Sequence, residues 1–245
     1  MADQSRAPAQ PKEPPKGILG LIHKAKVAVG VLLLSLCVSI LIEWLGIAFD
    51  LWDEEGYLHA KAMLTIELGW ISDDFTRSLL MSDPGQAAQQ LTFTAYEWLF
   101  VKTGFLDWIV SARQPLPQGT SVLKVYSNQL AVAIEDYLLA TLYVTLTFMV
   151  RLVILTLTSP LFVMAAMVGL VDGLVRRDIR RFGAGRESSF VYHHSKRLIV
   201  PLFLSAWLIY LSLPFSVHPN WVLLPCALLL GLAVSITAGS FKKYL

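Results

Sequence analysis

Apolar residues in this chain come in long runs separated by two kinds of polar stretch. No charge interrupts the sequence from Val27 to Ile42, and beyond Glu43 the apolar character continues to Phe49. The segment 27–49 is therefore long enough to cross a bilayer core of about 30 Å. Tyr137 to Val171 forms a second block broken only by Arg151. As one helix it would measure about 52 Å, more than a single crossing needs, and Ser159-Pro160 is the natural place for a kink or break. Two registers are open. Either 137–157 spans and Arg151 reaches back to the inner face, or 152–171 spans, with Arg151 at the outer edge and the preceding turns covered by the acidic stretch 50–136. The runs 198–214 and 221–239 are separated only by a turn around Ser216 to Asn220, which predicts a helical hairpin.

The region 50–136 differs in kind. Leu58, Ala62, Ile66 and Trp70 recur every four residues, the spacing of one helix face, and Leu91, Ala95, Trp98 and Leu99 line one side of a second helical run. Asp83-Pro84-Gly85 reads as a turn and 114–119 as a loop. Sustained period-two alternation is absent. The predicted fold class is an all-α integral membrane protein with four transmembrane helices and a helical domain, 50–136, between the first and second. Pro8, Pro11, Pro14 and Pro15 among basic residues predict a flexible tail over 1–26. The remaining polar pieces are a basic loop, 172–197, and a short basic tail, 240–245.

Composition supports the membrane reading. Hydrophobic residues make up 55% of the 245 and charged residues 16%, against about 45–50% and about 25% in soluble domains. So few charges cannot cover the surface of a soluble protein of this size, which argues against a cytosolic enzyme, a disordered regulator or a free nucleic-acid binder. The net charge of +2 conceals a segregation. Segments 1–26, 172–197 and 240–245 carry fourteen basic and five acidic residues, a balance of +9, whereas 50–136 carries five basic and twelve acidic, −7. By the positive-inside rule both termini are cytoplasmic and 50–136 lies outside the inner membrane. Gly46 and Ala48 offer a small-x-small pair of the kind that signal peptidase cleaves. The long polar head and Glu43 within the run favour an uncleaved anchor instead.

Candidate chemistry is sparse. Cys37 and Cys226 both lie in apolar runs and read as packing residues. The sequence contains no P-loop, zinc-helix or nucleophile-elbow motif, so no catalytic residue, cofactor or metal site is assigned and a non-enzyme is expected. Gly183-Ala184-Gly185-Arg186 follows a basic helix and reads as its C-terminal turn rather than a phosphate cradle. His193 and His194 are adjacent, point about 100° apart on a helix and suit a membrane interface better than a shared metal. Glu43 and Arg151 are the ionisable groups inside apolar runs. Such charges are costly and are usually paired or functional. In the first register they stand about 12 Å apart along the membrane normal, which favours independent snorkelling over mutual pairing. Arg176, Arg177, Arg180 and Arg181 form two i,i+4 columns on one helix face, extended by Arg186. This basic patch suits anionic headgroups or an acidic protein surface. It lacks the interleaved aromatics of base-stacking sites, so no sequence-specific nucleic-acid binding is expected.

Three stretches carry a resemblance: YEWLFVKTGFLDW at 96–108, VGLVDGLVRRDIRRFGAGRESSFVYHHSKR at 168–197 and TAGSFKKYL at 237–245. With them the chain resembles the integrating conjugative element membrane protein family, a domain of unknown function from mobile elements of Gram-negative bacteria. The resemblance implies an inner-membrane protein encoded among conjugative transfer genes, commonly near a coupling ATPase, and brings no catalytic residues with it. The expected role is an accessory, structural component of conjugative DNA transfer whose partners are membrane lipids and other transfer proteins such as the coupling ATPase. A small transporter or channel using Glu43 and Arg151 is the alternative.

Overall fold

The computed structural model describes residues 18–74, 80, 82–113, 122–182 and 189–241. Among them every regular element is helical: α1 (Ile18–Ala48), α2 (Leu58–Asp74), α3 (Pro84–Tyr96), a π-helical turn (Glu97–Val101), α4 (Phe105–Arg113), α5 (Val122–Phe182), α6 (Ser189–Ser212) and α7 (Pro219–Gly239). Four stretches are long and apolar enough to cross a membrane: Ala25–Ala48, Ile134–Phe182, Phe190–Ser212 and Pro219–Gly239. The all-α class and the four candidate spans agree with the sequence.

Several boundaries move. α1 starts at Ile18, inside the stretch expected to be a flexible tail, because the last tail proline is Pro15 and helix-compatible residues follow from Ile18. The predicted turn at Asp83-Pro84-Gly85 is a helix start: Asp83 Oδ1 accepts from the Gln86 N–H at 3.2 Å, and Pro84 sits where a missing N–H costs nothing. α6 begins at Ser189 and α5 ends at Phe182, so most of the expected basic loop is helix. The expected loop at 114–119, most of the head, the Gly183–Arg186 turn and 242–245 lie outside the described residues.

The largest correction is at Pro160. No break occurs there; α5 is one helix of 61 residues, about 91 Å long. Proline withholds the N–H that would bond the Thr156 carbonyl, and the neighbouring Ser159 hydroxyl donates to that carbonyl at 2.8 Å. The orphan acceptor is thereby satisfied locally, one of the ways proline is accommodated in membrane helices.

Faces also differ from expectation. On α2 the inward column is Ala60, Met63, Leu64, Glu67 and Ile71, while Leu58 and Ile66 of the predicted face are exposed. On α3 the buried positions are Pro84, Ala88 and Thr92. The predicted column of Leu91, Ala95, Trp98 and Leu99 lines an open groove against Thr145 and Met149 of α5. α1 is inverted outright: Ser35, Ser39 and Glu43, four residues apart, are buried, whereas Leu33 and Leu34 are 57% and 65% exposed. A helix with its polar stripe inward and leucines outward suits a hydrocarbon solvent.

The core follows α5. Ahead of Arg151, Leu139, Val144, Leu146 and Phe148 are covered by α2, the π turn with Phe100, and α1. Beyond it, α5 leans on α7 along a seam of small residues. A Cβ on Gly169 would lie 2.1 Å from the Gly231 carbonyl oxygen, and one on Gly173 would lie 2.4 Å from that of Ser235. The Gly169/Gly173 and Gly231/Ser235/Gly239 columns allow backbone-to-backbone contact, the small-xxx-small solution to packing helices that gain nothing from excluding water.

Candidate functional site

The two intramembrane charges do not meet each other and do not reach for water. Both are buried, Glu43 to 1% and Arg151 to 3% exposure, and both are partnered from α2, the amphipathic helix that follows the first span. The expectation of independent snorkelling is therefore corrected: α2 brings the Glu67 carboxylate to Arg151 and the His59 imidazole to Glu43, which removes the need for either side chain to stretch to the interface.

Arg151 is held by three elements. Its Nε donates to Glu67 Oε1 and Oε2 at 2.9 and 3.1 Å, and Nη2 donates to Oε1 at 2.6 Å. Nη1 donates to the Leu213 carbonyl at 2.6 Å and Nη2 to that of Phe215 at 3.2 Å. These carbonyls belong to the turn between α6 and α7, next to Pro214, so the guanidinium serves as the cation at the C-terminal end of α6. The Tyr210 ring lies 5.6 Å from the guanidinium carbon. Ser216 Oγ, at 3.5 Å from Glu67 Oε1, completes the shell. Glu67 itself is 0% exposed; burial raises its carboxyl above the usual range, with Arg151 pulling the other way.

Glu43 has a second, smaller assembly. His59 Nδ1 lies 3.0 and 3.1 Å from its two carboxylate oxygens. The Trp52 indole stacks on the His59 ring with centroids 4.1 Å apart and planes 4° from parallel. That indole occupies the space a side chain at Gly46 would take, since a Cβ there would lie 1.9 Å from Trp52 Nε1. Gly46 thus has a packing role. A cavity of about 10 Å³, lined by Glu43, Thr147 and Arg151 among others, lies between the two assemblies. It has room for about one water molecule. Ser39 Oγ ties the same level of α1 to the Leu211 carbonyl of α6 at 3.2 Å.

The basic patch lies at the far end of α5, on a continuous helix, so the predicted i,i+4 columns hold. Arg176 pairs with Asp172 at 2.9 Å, and Arg177 and Arg181 share Asp178 at 3.9 and 3.7 Å. Arg180 has no carboxylate partner among the described residues, and Arg186 lies outside them. Asp172 also accepts from Ser235 Oγ of α7, which joins the patch to the glycine seam. His193 and His194 diverge onto different neighbours, Tyr192 and Phe190. Among the described residues no three His, Cys, Asp or Glu side chains converge as metal ligands would.

Glu67 and His59, which complete the buried assemblies, were not singled out from the sequence. The available signal was an ionisable residue, Glu67, on a helix with two apolar columns: Leu58, Ala62, Ile66 and Trp70 on one side, and Ala60, Met63, Leu64 and Ile71 around Glu67 on the side that is buried. The glycine seam was equally visible as paired four-residue spacings.

A family model described as the DtrJ-like IncC plasmid conjugative DNA transfer protein matches residues 51–242. That stretch runs from the chain after α1 through the end of α7 and includes Glu67, Arg151 and the basic patch. No curated protein and no solved structure matches the chain.

Proposed function

We propose, from the premise that this chain belongs to the DtrJ-like family of IncC plasmid conjugative DNA transfer proteins, that it is a non-catalytic accessory scaffold of DNA transfer in the bacterial inner membrane. The observation that carries this reading is the division of its charges. Those within the apolar helices are met internally from α2, whereas the four arginines at the end of α5 exceed the two aspartates that face them. Groups free to meet a partner are at the ends of the molecule.

By the positive-inside rule that basic end is cytoplasmic, together with both termini, and α2 to α4 stand on the periplasmic side. The 152–171 stretch of α5 then crosses the bilayer, about 30 Å at 1.5 Å per residue. The covered turns ahead of Arg151 support this register. The partner expected at the basic end is an acidic face of another transfer protein, such as a coupling ATPase. The resemblance of 96–108 and 168–197 to a family of integrating conjugative elements supports the same role on an element integrated in the chromosome.

Crosslinking in donor membranes followed by purification tests the proposal. Changing Arg176, Arg177, Arg180 and Arg181 together to Gln should leave insertion intact while lowering both partner recovery and conjugation frequency by at least tenfold, since each lost contact is worth about 1 kcal/mol. Normal recovery and normal transfer with the quadruple variant would sink the docking role. A single cysteine at Asn220 that reacts only from the cytoplasm would overturn the orientation.

A further inference from the structure

α5 and α6 each pack along α7 but meet each other only sparsely, which leaves a groove between them at the basic end of the bundle. One wall is the α5 stripe Leu170, Leu174 and Arg177; the other is the α6 stripe Tyr192, Lys196 and Ile199, both at i,i+4,i+7 spacing. Because α5 runs toward the basic end and α6 starts from it, the cations of the two stripes lie toward the same mouth and the leucines and isoleucine lie deeper. Val234 and Ala238 of α7 form the floor. The groove holds about 390 Å³, within the range of small-molecule sites, and it is open rather than enclosed.

From this arrangement we infer that the groove is a binding site for one anionic phospholipid, its phosphate between Arg177 and Lys196 and an acyl chain along Leu170, Leu174 and Ile199. Charge complementarity selects the occupant. Among the described residues no acidic side chain lines the groove. The carboxylate paired with Arg177 among them, Asp178, stands 3.9 Å away and is shared with Arg181. Lys196 has no carboxylate partner among the described residues; its ammonium lies 5.7 Å from the Tyr192 ring centroid. Tyr192 in turn meets Phe241 edge to face at 5.7 Å, closing the mouth with aromatic edges of the kind found at headgroup depth. Leu170 and Leu174 remain 46% and 41% exposed, apolar surface that neither α6 nor α7 covers. A cationic mouth over an apolar trough matches an anionic headgroup over its chain; a soluble acidic peptide would leave the trough unfilled. Basic pockets between helices on the cytoplasmic side have this character in general. The inference does not rest on the role in DNA transfer.

The test uses the full-length protein from vesicles containing equal phosphatidylglycerol and phosphatidylcholine, followed by native mass spectrometry of retained lipid. The expected result is one phosphatidylglycerol per chain, retained in preference to phosphatidylcholine and unaffected by millimolar inorganic phosphate. Arg177→Gln with Lys196→Gln should weaken retention on the order of thirtyfold, about 1 kcal/mol per charge converted at 1.4 kcal/mol per tenfold. Arg180→Gln with Arg181→Gln removes the same charge from the same end and should retain the lipid, while Arg177→Lys with Lys196→Arg should restore it. Equal retention of the two lipids by the wild type overturns the inference without any variant. So does equal loss in both glutamine pairs, which would mean diffuse surface attraction, and so does displacement by phosphate alone. Loss of a crosslinked protein partner from Arg177→Gln/Lys196→Gln with lipid retention unchanged would make the groove a protein site instead.

Discussion

Replacing Arg151 by Met should be among the most damaging single changes available in this chain. The substitution keeps most of the aliphatic volume and removes every donor. It strands the Glu67 carboxylate, which is fully buried, and frees the carbonyls of Leu213 and Phe215. Removing one partner of a buried ion pair costs about 3–5 kcal/mol, and each abandoned buried acceptor about 1 kcal/mol more. Against a total stability of about 5–15 kcal/mol, the variant should sit close to its unfolding threshold. The double variant Arg151→Met with Glu67→Gln separates the charge from the carbonyls. Neutralising the stranded carboxylate should return about 2 kcal/mol relative to Arg151→Met alone, leaving the carbonyl cost behind. Arg151→Met, Glu67→Gln and the double variant would be unfolded in mixed micelles, with Arg181→Gln as an exposed control expected to change stability by about 0.5 kcal/mol or less. Strict additivity of the two single changes would refute the pairing, because independent residues add and partners do not.

Other positions give sharper local tests. Gly169→Ala places a methyl against the Gly231 carbonyl and should cost about 1–3 kcal/mol in the same unfolding assay, whereas Gly30→Ala, with nothing within 4 Å, should gain up to about 1 kcal/mol. Equal effects at the two glycines would refute the seam. Gly46→Val should expel Trp52 from its stack on His59, read as a shift in tryptophan emission that is abolished when Trp52→Phe is present. Ser159→Ala removes the donor that satisfies the Thr156 carbonyl and should cost about 1 kcal/mol; the loss should vanish in a Pro160→Ala background, where the backbone N–H takes over.

What the sequence revealed and what it hid divide along a physical line. Span count and helical class depend on run length and composition, which need no knowledge of neighbours, and they were legible. Pairing was not. Arg151 and Glu67 are 84 residues apart, and spacing within one helix carries no trace of such a contact. The inward faces misled for a related reason. In water the apolar stripe of a helix points to the core, but where hydrocarbon is the solvent the polar stripe does, as Ser35, Ser39 and Glu43 illustrate. On α2 the reason is different: Leu58, Ala62, Ile66 and Trp70 form one apolar column and Ala60, Met63, Leu64 and Ile71 another, and spacing alone does not choose between them. Pro160 misled because the rule that proline breaks helices concerns the orphaned carbonyl, and the adjacent serine disposes of it.

The buried charges bear on mechanism through what they leave unoccupied. A side chain that relays an ion or a proton through a membrane needs an open coordination position and a connected path. Arg151 commits four of its five N–H groups to Glu67 and to the α6–α7 turn, and both Glu43 oxygens lie within hydrogen-bond distance of His59. The cavity that touches both charges admits about one water, not a file of them. What these groups do accomplish is mechanical. They fasten α2 and the α6–α7 hairpin to one level of a helix about 91 Å long, whose other half is locked to α7 by backbone contact at Gly169 and Gly173. A rod fixed at two levels holds the α2–α4 unit and the arginine-bearing end at a constant separation. In the scaffold role proposed above, that constant separation would keep partners at the two ends of the helix in register.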